Sequence, residues 1–367
     1  IVKPYRRSLL IDSLALSVKT DRPFAIRLLD FFSNHFSVSA PTQSMKILSP
    51  ILERDAIAPN LFGQFEDLII AVEQHPAMLV YLNNTKSVGP NSPIGKRTRG
   101  LNENLAREIL ELHTLGVDGG YTLKDIRQLA MAISGWSITN DRDAKPAGFR
   151  FRIKGHEPGE RNILGKSYPA GGVTQGQAVL RDLARHKKTA QFVSYKLAQH
   201  LIADEPPKEL VAAMVSTWVK TEGNIKAVVT SLVKHPQSWD SQSKKLKTPR
   251  EFVVSACRAV SHSKTVDQTL LNVALRGLNL MGQKPFGAGS PAGYSNLNRA
   301  WSGSDALMKR IDWVNLLSNK TRQTPQAVAG RIYDSTLSPL TVKLLAGAES
   351  RAQGLALLML SPEFQRR

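Results

Sequence analysis

The chain has 367 residues, of which 42% are apolar and 22% charged, with a single cysteine, a balance that excludes a disordered, collagenous or disulfide-stapled chain. Forty-nine Lys and Arg against 30 Asp and Glu leave a net charge of +19, so the surface should attract anionic partners. The cleanest apolar runs, such as LALLML at 355–360, fall far short of the ~20 residues that cross a bilayer, which argues against an integral membrane protein.

Taken in chain order, most segments read in helical periods. Residues 1–20 carry an apolar stretch interrupted by Asp12 and make a poor secretory signal. In FAIRLLDFFSNHF (24–36), Phe24, Leu28, Leu29 and Phe32 share one helical face, and His35 lies just past it. IIAVEQHPAM (69–78), VTSLVKHPQSW (229–239) and ALLMLSPEFQ (356–365) are apolar runs closed by His-Pro or Ser-Pro, which are helix stops because proline disfavours the helical region for its predecessor. His75 and His235 therefore read as boundary residues.

The segment 85–100, with two prolines, three glycines and four basic residues, is a loop. It feeds LNENLAREILELHTLG (101–116), in which Asn102 can cap a helix and Gly116 with Gly119 and Gly120 stops it. A second helix opens at Thr122 with Asp125 placed for a capping box and runs to Gly135-Trp136, so 101–136 is a helical hairpin. Phe149, Phe151 and Ile153 then alternate with basic residues, HEPGE turns the chain, and 163–168 can return, which predicts a small β-hairpin over about 149–168. Helical patterns resume from 174, including TAQFVSYKLAQHLIAD, and GQKPFGAGSPAGYSN (282–296) interrupts the C-terminal helices at a length suited to covering a groove. The expected fold is a mainly α, multi-helix globular bundle with one β-hairpin. Its segments are an N-terminal helical region (1–140), a hairpin insertion (141–173) and a C-terminal helical region (174–367), packed as one unit.

NENLAREILELHTLGVDGGYT followed by KDIRQLAMAISGWSI, with SNHFSVS, HPAMLVYLNNTKSVGPNSP, HEPG, KLAQHLIADEPP and GQKPFGAGSPAGY around them, resembles the bacterial "domain of unknown function 1800" family over essentially the whole chain. Family chains usually carry several dozen residues more ahead of this point. The resemblance implies a mostly helical, exported protein, periplasmic or secreted, often encoded beside a sulfatase-like partner. It brings no established activity or cofactor.

On a helical wheel from Leu101, the apolar residues of 101–113 fill one half while Glu103, Arg107 and Glu111 form a strip, with Asn104 and Glu108 beside it. Two readings stand: a solvated face of i, i+4 pairs worth ~0.2–0.5 kcal/mol each, or the wall of a pocket. His113 points into the apolar arc, either as a hydrogen-bonded core histidine or as one poised for proton transfer. A divalent metal shared by Glu108 and Glu111, with His113, His35 and His156 approaching, lacks the His-Glu-x-x-His or Glu-x-x-His spacing that would make it a strong expectation. Candidate catalytic residues are thus Glu103, Arg107, Glu108, Glu111, His113 and His35. Candidate substrate or partner contacts are Asn102, Asn104, Trp136, His156, Lys196 and His200.

Nucleophilic and nucleotide chemistry find no support: there is no Gly-x-Ser-x-Gly elbow, Cys257 sits in the apolar-rich run VVSACRAV, and GAGSPAG (287–293) lacks the Lys-Ser/Thr ending of a phosphate loop. The basic surplus is spread along the chain. Aromatic content is 7% and no nucleic-acid module is recognisable, so charge alone does not make this a nucleic-acid binder. Two functions remain: an envelope-associated helical scaffold that binds an anionic partner or polymer, together with a sulfatase-like protein, or a hydrolase or lyase on an anionic substrate centred on the 102–113 helix. The sequence does not decide whether the protein is an enzyme.

Overall fold

The computed structural model describes residues 2–98, 100–139, 148–240, 245–261, 267–333 and 336–367. It is 64% helical with two small two-stranded antiparallel sheets, so the expected mainly α class with a small hairpin holds. Among the described residues no helix is long and apolar enough to cross a membrane.

Two apolar clusters organise the helices and cut across the three expected segments. The first gathers residues between Leu28 and Leu232; the second joins Ile11, Leu14 and Val18 of the first helix, Val2–Lys19, to Phe252–Phe364 of the C-terminal helices. The helix Pro23–His35 belongs to the first cluster. Leu28, Leu29, Phe31, Phe32 and His35 are buried on one side of it, whereas Asp30, Ser33 and Asn34 fall on the opposite side, as 3.6-residue periodicity requires.

The boundary signals act as read. His75 Nδ1 accepts from Ala77 N at 3.1 Å at the start of Pro76–Tyr81, and the Thr122/Asp125 capping box opens Leu123–Ala132. The strands pair differently from the expected return of 163–168 onto 149–153. Phe149–Phe151 pairs with Trp136–Ile138, and Arg161–Ile163 makes a tight hairpin with Lys166–Tyr168. In the first pair Trp136 meets Phe149 edge to face at 5.8 Å. Residues 141–147 of the expected insertion lie outside the described residues.

The 101–116 segment departs from a plain helix. Asn104–Glu108 is α-helical, then Ile109–Thr114 widens to a π-helix, in which Leu115 N bonds Leu110 O at 3.0 Å and Thr114 Oγ1 bonds Ile109 O at 2.6 Å. Such wide turns free backbone carbonyls and gather at functional sites.

Trp136 is fully buried, which removes it from the candidate binding residues: its ring is a core plug under the first sheet. Trp136→Ala should lower stability by about 3–5 kcal/mol, read from the urea midpoint.

Candidate functional site

The sequence-predicted histidines meet in the interior. His35, at the end of Pro23–His35, and His113, in the π-helix, have ring centroids 6.2 Å apart. His35 Nε2 lies 3.1 Å from His113 O, and Lys196 Nζ lies 3.1 Å from His35 Nδ1. A carbonyl only accepts and an ammonium only donates, so Nε2 carries the proton and Nδ1 the lone pair. Burial first, then the Lys196 charge and His113, hold the His35 pKa well below its ordinary value, consistent with that neutral tautomer. Burial also lowers the Lys196 amine to about 8, and its Nζ sits 5.1 Å from the centre of the Phe192 ring.

His113 Nδ1 is 2.8 Å from Glu73 Oε1, and both side chains are 0% exposed. The contact is close, yet no nitrogen of His113 and no carboxylate oxygen of Glu73 meets hydrogen-bond geometry. Gly116 closes this centre at φ +84°: a Cβ there would lie 2.8 Å from the Phe192 ring, so only glycine lets the Lys187–Leu201 helix pack against the end of the π turn.

Outside this knot, Arg107, Glu108 and Glu111 are half-buried at its rim. Burial raises the Glu108 carboxyl, with Glu111 and Glu73 adding and His113 and Arg107 opposing. Beside them the Tyr121 hydroxyl is raised by burial first and then by the Glu111 carboxylate. Glu103 contributes its backbone carbonyl to Arg107 N at 2.9 Å. Asn102 Oδ1 accepts from Asn104 N at 2.9 Å, and the Asn104 side chain faces solvent, so these two shape the helix start.

His156 lies elsewhere, with Nδ1 3.0 Å from Ser134 O and its ring 5.2 Å from Phe151; burial lowers its pKa. Its neighbour Glu157 is buried and accepts from Asn91 N at 2.8 Å and Asn91 Nδ2 at 2.6 Å. The expected polar turn is therefore a latch between 89–95 and 155–158.

His200 belongs to a different site. Phe31 separates the two, its ring 5.8 Å from His35 on one side and 5.6 Å from His200 on the other. His200 Nδ1 is 3.0 Å from Asn296 Oδ1, and burial lowers its pKa to about 4. It lines a cavity of about 90 Å³ together with Asp30, Ser33, Ser37, Glu53 and Arg250, roofed by residues of the 282–296 segment. Burial lifts the Asp30 carboxyl to about 6 although Arg250 Nε lies 2.7 Å away. Glu53 accepts from Ser33 Oγ at 2.6 Å and Ser13 Oγ at 3.3 Å. Glu251 is held at about 2 against the cost of burial by Arg367 at 2.8 Å, with His200 and Arg27 at 3.7 Å adding.

The roof is pinned. Tyr294 N donates to Asn34 Oδ1 at 2.7 Å, Asn34 Nδ2 donates to Tyr294 O at 2.8 Å, and Ser39 Oγ donates to Ala288 O. Gly293, at φ +76°, lets the chain pass where a Cβ would come within 2.5 Å of Asn34 O.

Beside the cavity lies a groove of about 540 Å³ whose wall carries Arg6, Arg7, Lys46, Arg276 and Lys284 and no Asp or Glu. Among the described residues none of these five has an ion-pair partner within 4.0 Å. Reasoning from sequence missed the groove because its residues come from segments more than 200 positions apart. Glu73, Asp30 and Glu53 were also missed, though Glu73 and Asp30 each left a signal: an acidic residue set within an apolar helical run. Among the described residues, no group of three His, Cys, Asp or Glu side chains is placed to hold a metal ion.

Two outcomes follow from the buried groups. His113→Ala strands the Glu73 carboxylate in a dry interior and should cost about 3–5 kcal/mol, whereas Glu73→Leu/His113→Phe should cost less than the sum of the single changes in a double-mutant cycle by urea unfolding. For pH, His35, His75 and His200 have folded pKa values below 6.5, the latter two at about 4. Folding excludes their protons, so stability is full above 6.5 and falls as pH drops from there toward 4. Asp30, raised to about 6, works in the opposite sense and offsets part of the fall. His200→Gln should flatten the slope in that window by about one proton, ~1.4 kcal/mol per pH unit.

No curated protein and no solved structure matches the chain. The match is at the level of the family: residues 3–366 fit the model described as "Protein of unknown function (DUF1800)", and the chain belongs to that family.

Proposed function

We propose that the protein is a helical scaffold that holds an anionic partner or polymer in the groove of Arg6, Arg7, Lys46, Arg276 and Lys284. The observation that carries this reading is the composition of that wall, five cations and no carboxylate. A net charge of +19 could be spread over a surface and neutralised pair by pair. Here, by contrast, the partner of Arg7 Nη2 among the described residues is the neutral Asn272 Oδ1 at 2.8 Å, so its charge stays available. Cations that converge in a concave site focus the field and raise the local concentration of an anion.

The setting that fits is the one the family resemblance implies, an exported bacterial protein at the envelope working beside a sulfatase-like partner. The alternative of a hydrolase or lyase draws on a separate observation, the half-buried rim of Arg107, Glu108, Glu111 and Tyr121. There, burial raises the Glu108 carboxyl and so favours its protonated, proton-donating form. His35 and His113 give that alternative less support, because both rings are enclosed by packing.

Titration with a fluorescent polyanion such as heparin tests the groove. Arg7→Glu/Arg276→Glu should weaken binding at least tenfold, about 1.4 kcal/mol, with a shallower salt dependence, while Lys226→Glu on an exposed face should change it little. Equal affinities for the two variants would refute the groove as the binding surface. For the alternative, wild-type turnover of sulfate or phosphate ester probes that is lost in Glu108→Gln would favour the enzyme reading, and no turnover across such a panel would count against it.

A further inference from the structure

The groove and the 90 Å³ cavity share Leu10, Lys284 and Pro285 in their walls. Lys284 is exposed, so the two hollows adjoin along a wall that reaches the surface. The two hollows differ in chemistry. The groove offers only positive charge and amides, whereas the cavity offers hydrogen-bonding groups of both kinds.

Three of those groups have capacity to spare. Ser37 is 6% exposed, lies in the cavity wall, and its hydroxyl has no partner among the described residues. Asp30 uses Oδ1 for Arg250 and leaves Oδ2 unbonded, and Gln283 accepts from Arg250 N at 2.8 Å through Oε1, leaving its amide protons free. None of these three atoms is shut off from solvent, so a ligand entering the cavity can take the place of water on them. Spare donors and a spare acceptor in one wall suit a group that both donates and accepts, which is a hydroxyl rather than a cation or an anion. The volume is far above the ~10–15 Å³ that one water needs, so a chain of a few hydroxyl-bearing carbons fits. The apolar parts of Leu14, Val38 and Phe286 supply the remaining wall for its C–H faces.

We propose that cavity and groove form one site for a small polyol carrying an anionic ester group, with the ester on the Arg and Lys side chains and the hydroxyls at Asp30, Ser37 and Gln283. The proposal rests on the groove being an anion site and names what that anion is attached to. Arg250, 2.7 Å away, already balances the Asp30 charge, which suits a partner that brings hydroxyls and no charge of its own into the cavity.

Calorimetry with the whole chain separates the parts. The probes are inorganic phosphate, inorganic sulfate, glycerol, glycerol phosphate and glycerol sulfate. The expected result is that at least one glycerol ester binds tenfold or more tightly than the matching inorganic anion and than glycerol, the two ester arms showing which acid is preferred. Ser37→Ala should cut the ester-to-inorganic preference at least threefold. Ser37→Val, which removes the hydroxyl and fills its space, should abolish the preference, with near-ultraviolet circular dichroism confirming the fold of each variant. Arg7→Glu/Arg276→Glu should weaken inorganic anions and esters alike. If inorganic anions and heparin bind but the esters gain nothing, the polyol assignment is overturned and the groove stands. If no anion binds, the groove fails and the assignment falls with it.

Discussion

Glu73 and His113, a carboxylate and an imidazole with no exposure to solvent, are the constraint around which the first half of the molecule is arranged. Removing two polar groups from water is costly unless they face each other, so the helices that carry them cannot slide independently. His113 also presents its backbone carbonyl to His35, and His35 in turn accepts from Lys196. Four helical segments, Phe65–Glu73, Ile109–Thr114, Pro23–His35 and Lys187–Leu201, thus meet at one polar knot inside an aromatic shell of Phe31, Phe36, Phe65 and Phe192. The π turn makes the knot possible: where the regular helix ladder lapses, carbonyls are released to accept from side chains, as Ile109 O does from Thr114 and His113 O does from His35.

The same helix that ends in His35 turns its other face to the cavity, and the two faces handle charge in opposite ways. On the cavity side each carboxylate has dedicated partners: Arg250 for Asp30, two serine hydroxyls for Glu53, Arg367 and Arg27 for Glu251. The charges of these acidic groups are thereby balanced internally. The cations of the adjoining groove are not, so the net positive charge of the chain acquires a local address. Charge that is paired stabilises the fold modestly or not at all; charge that is left unpaired in a concavity is available to a ligand.

The helical class, the helix stops, the capping box at Thr122 and the burial of Cys257 and His113 were legible because each depends on local periodicity or on chemistry a few residues apart. The 101–113 wheel also held in outline, with His113 inside and Arg107, Glu108 and Glu111 at the rim. What failed to show were relations across distance. Trp136, a candidate contact at the end of a helix, is a core residue, because the strand at Phe149–Phe151 folds back on it. His156, a candidate companion of His113, and His200, a candidate contact, are held elsewhere by Ser134 and Asn296. Nothing in the spacing of Arg6, Lys46, Arg276 and Lys284 hints that they share a wall, since the first helix returns to the C-terminal cluster only through the tertiary packing of Ile11, Leu14 and Val18.

The segment 282–296 joins these themes. Its length and its glycines suggested a flexible cover, yet its backbone is tied down at three places: Phe286 O accepts from Ala40 N at 3.0 Å, Ala288 O from Ser39, and Tyr294 exchanges two bonds with Asn34. A connection ordered in advance loses little entropy when something binds beneath it. Glycine at 293 then serves close approach to Asn34 rather than motion. Because Lys284 stands in both walls while Asn296 meets His200, one pinned segment sets the mouth of the cavity, one cation of the groove and the partner of a buried histidine together. In the proposed function, recognition at the surface and order in the interior are therefore coupled through the same stretch of backbone.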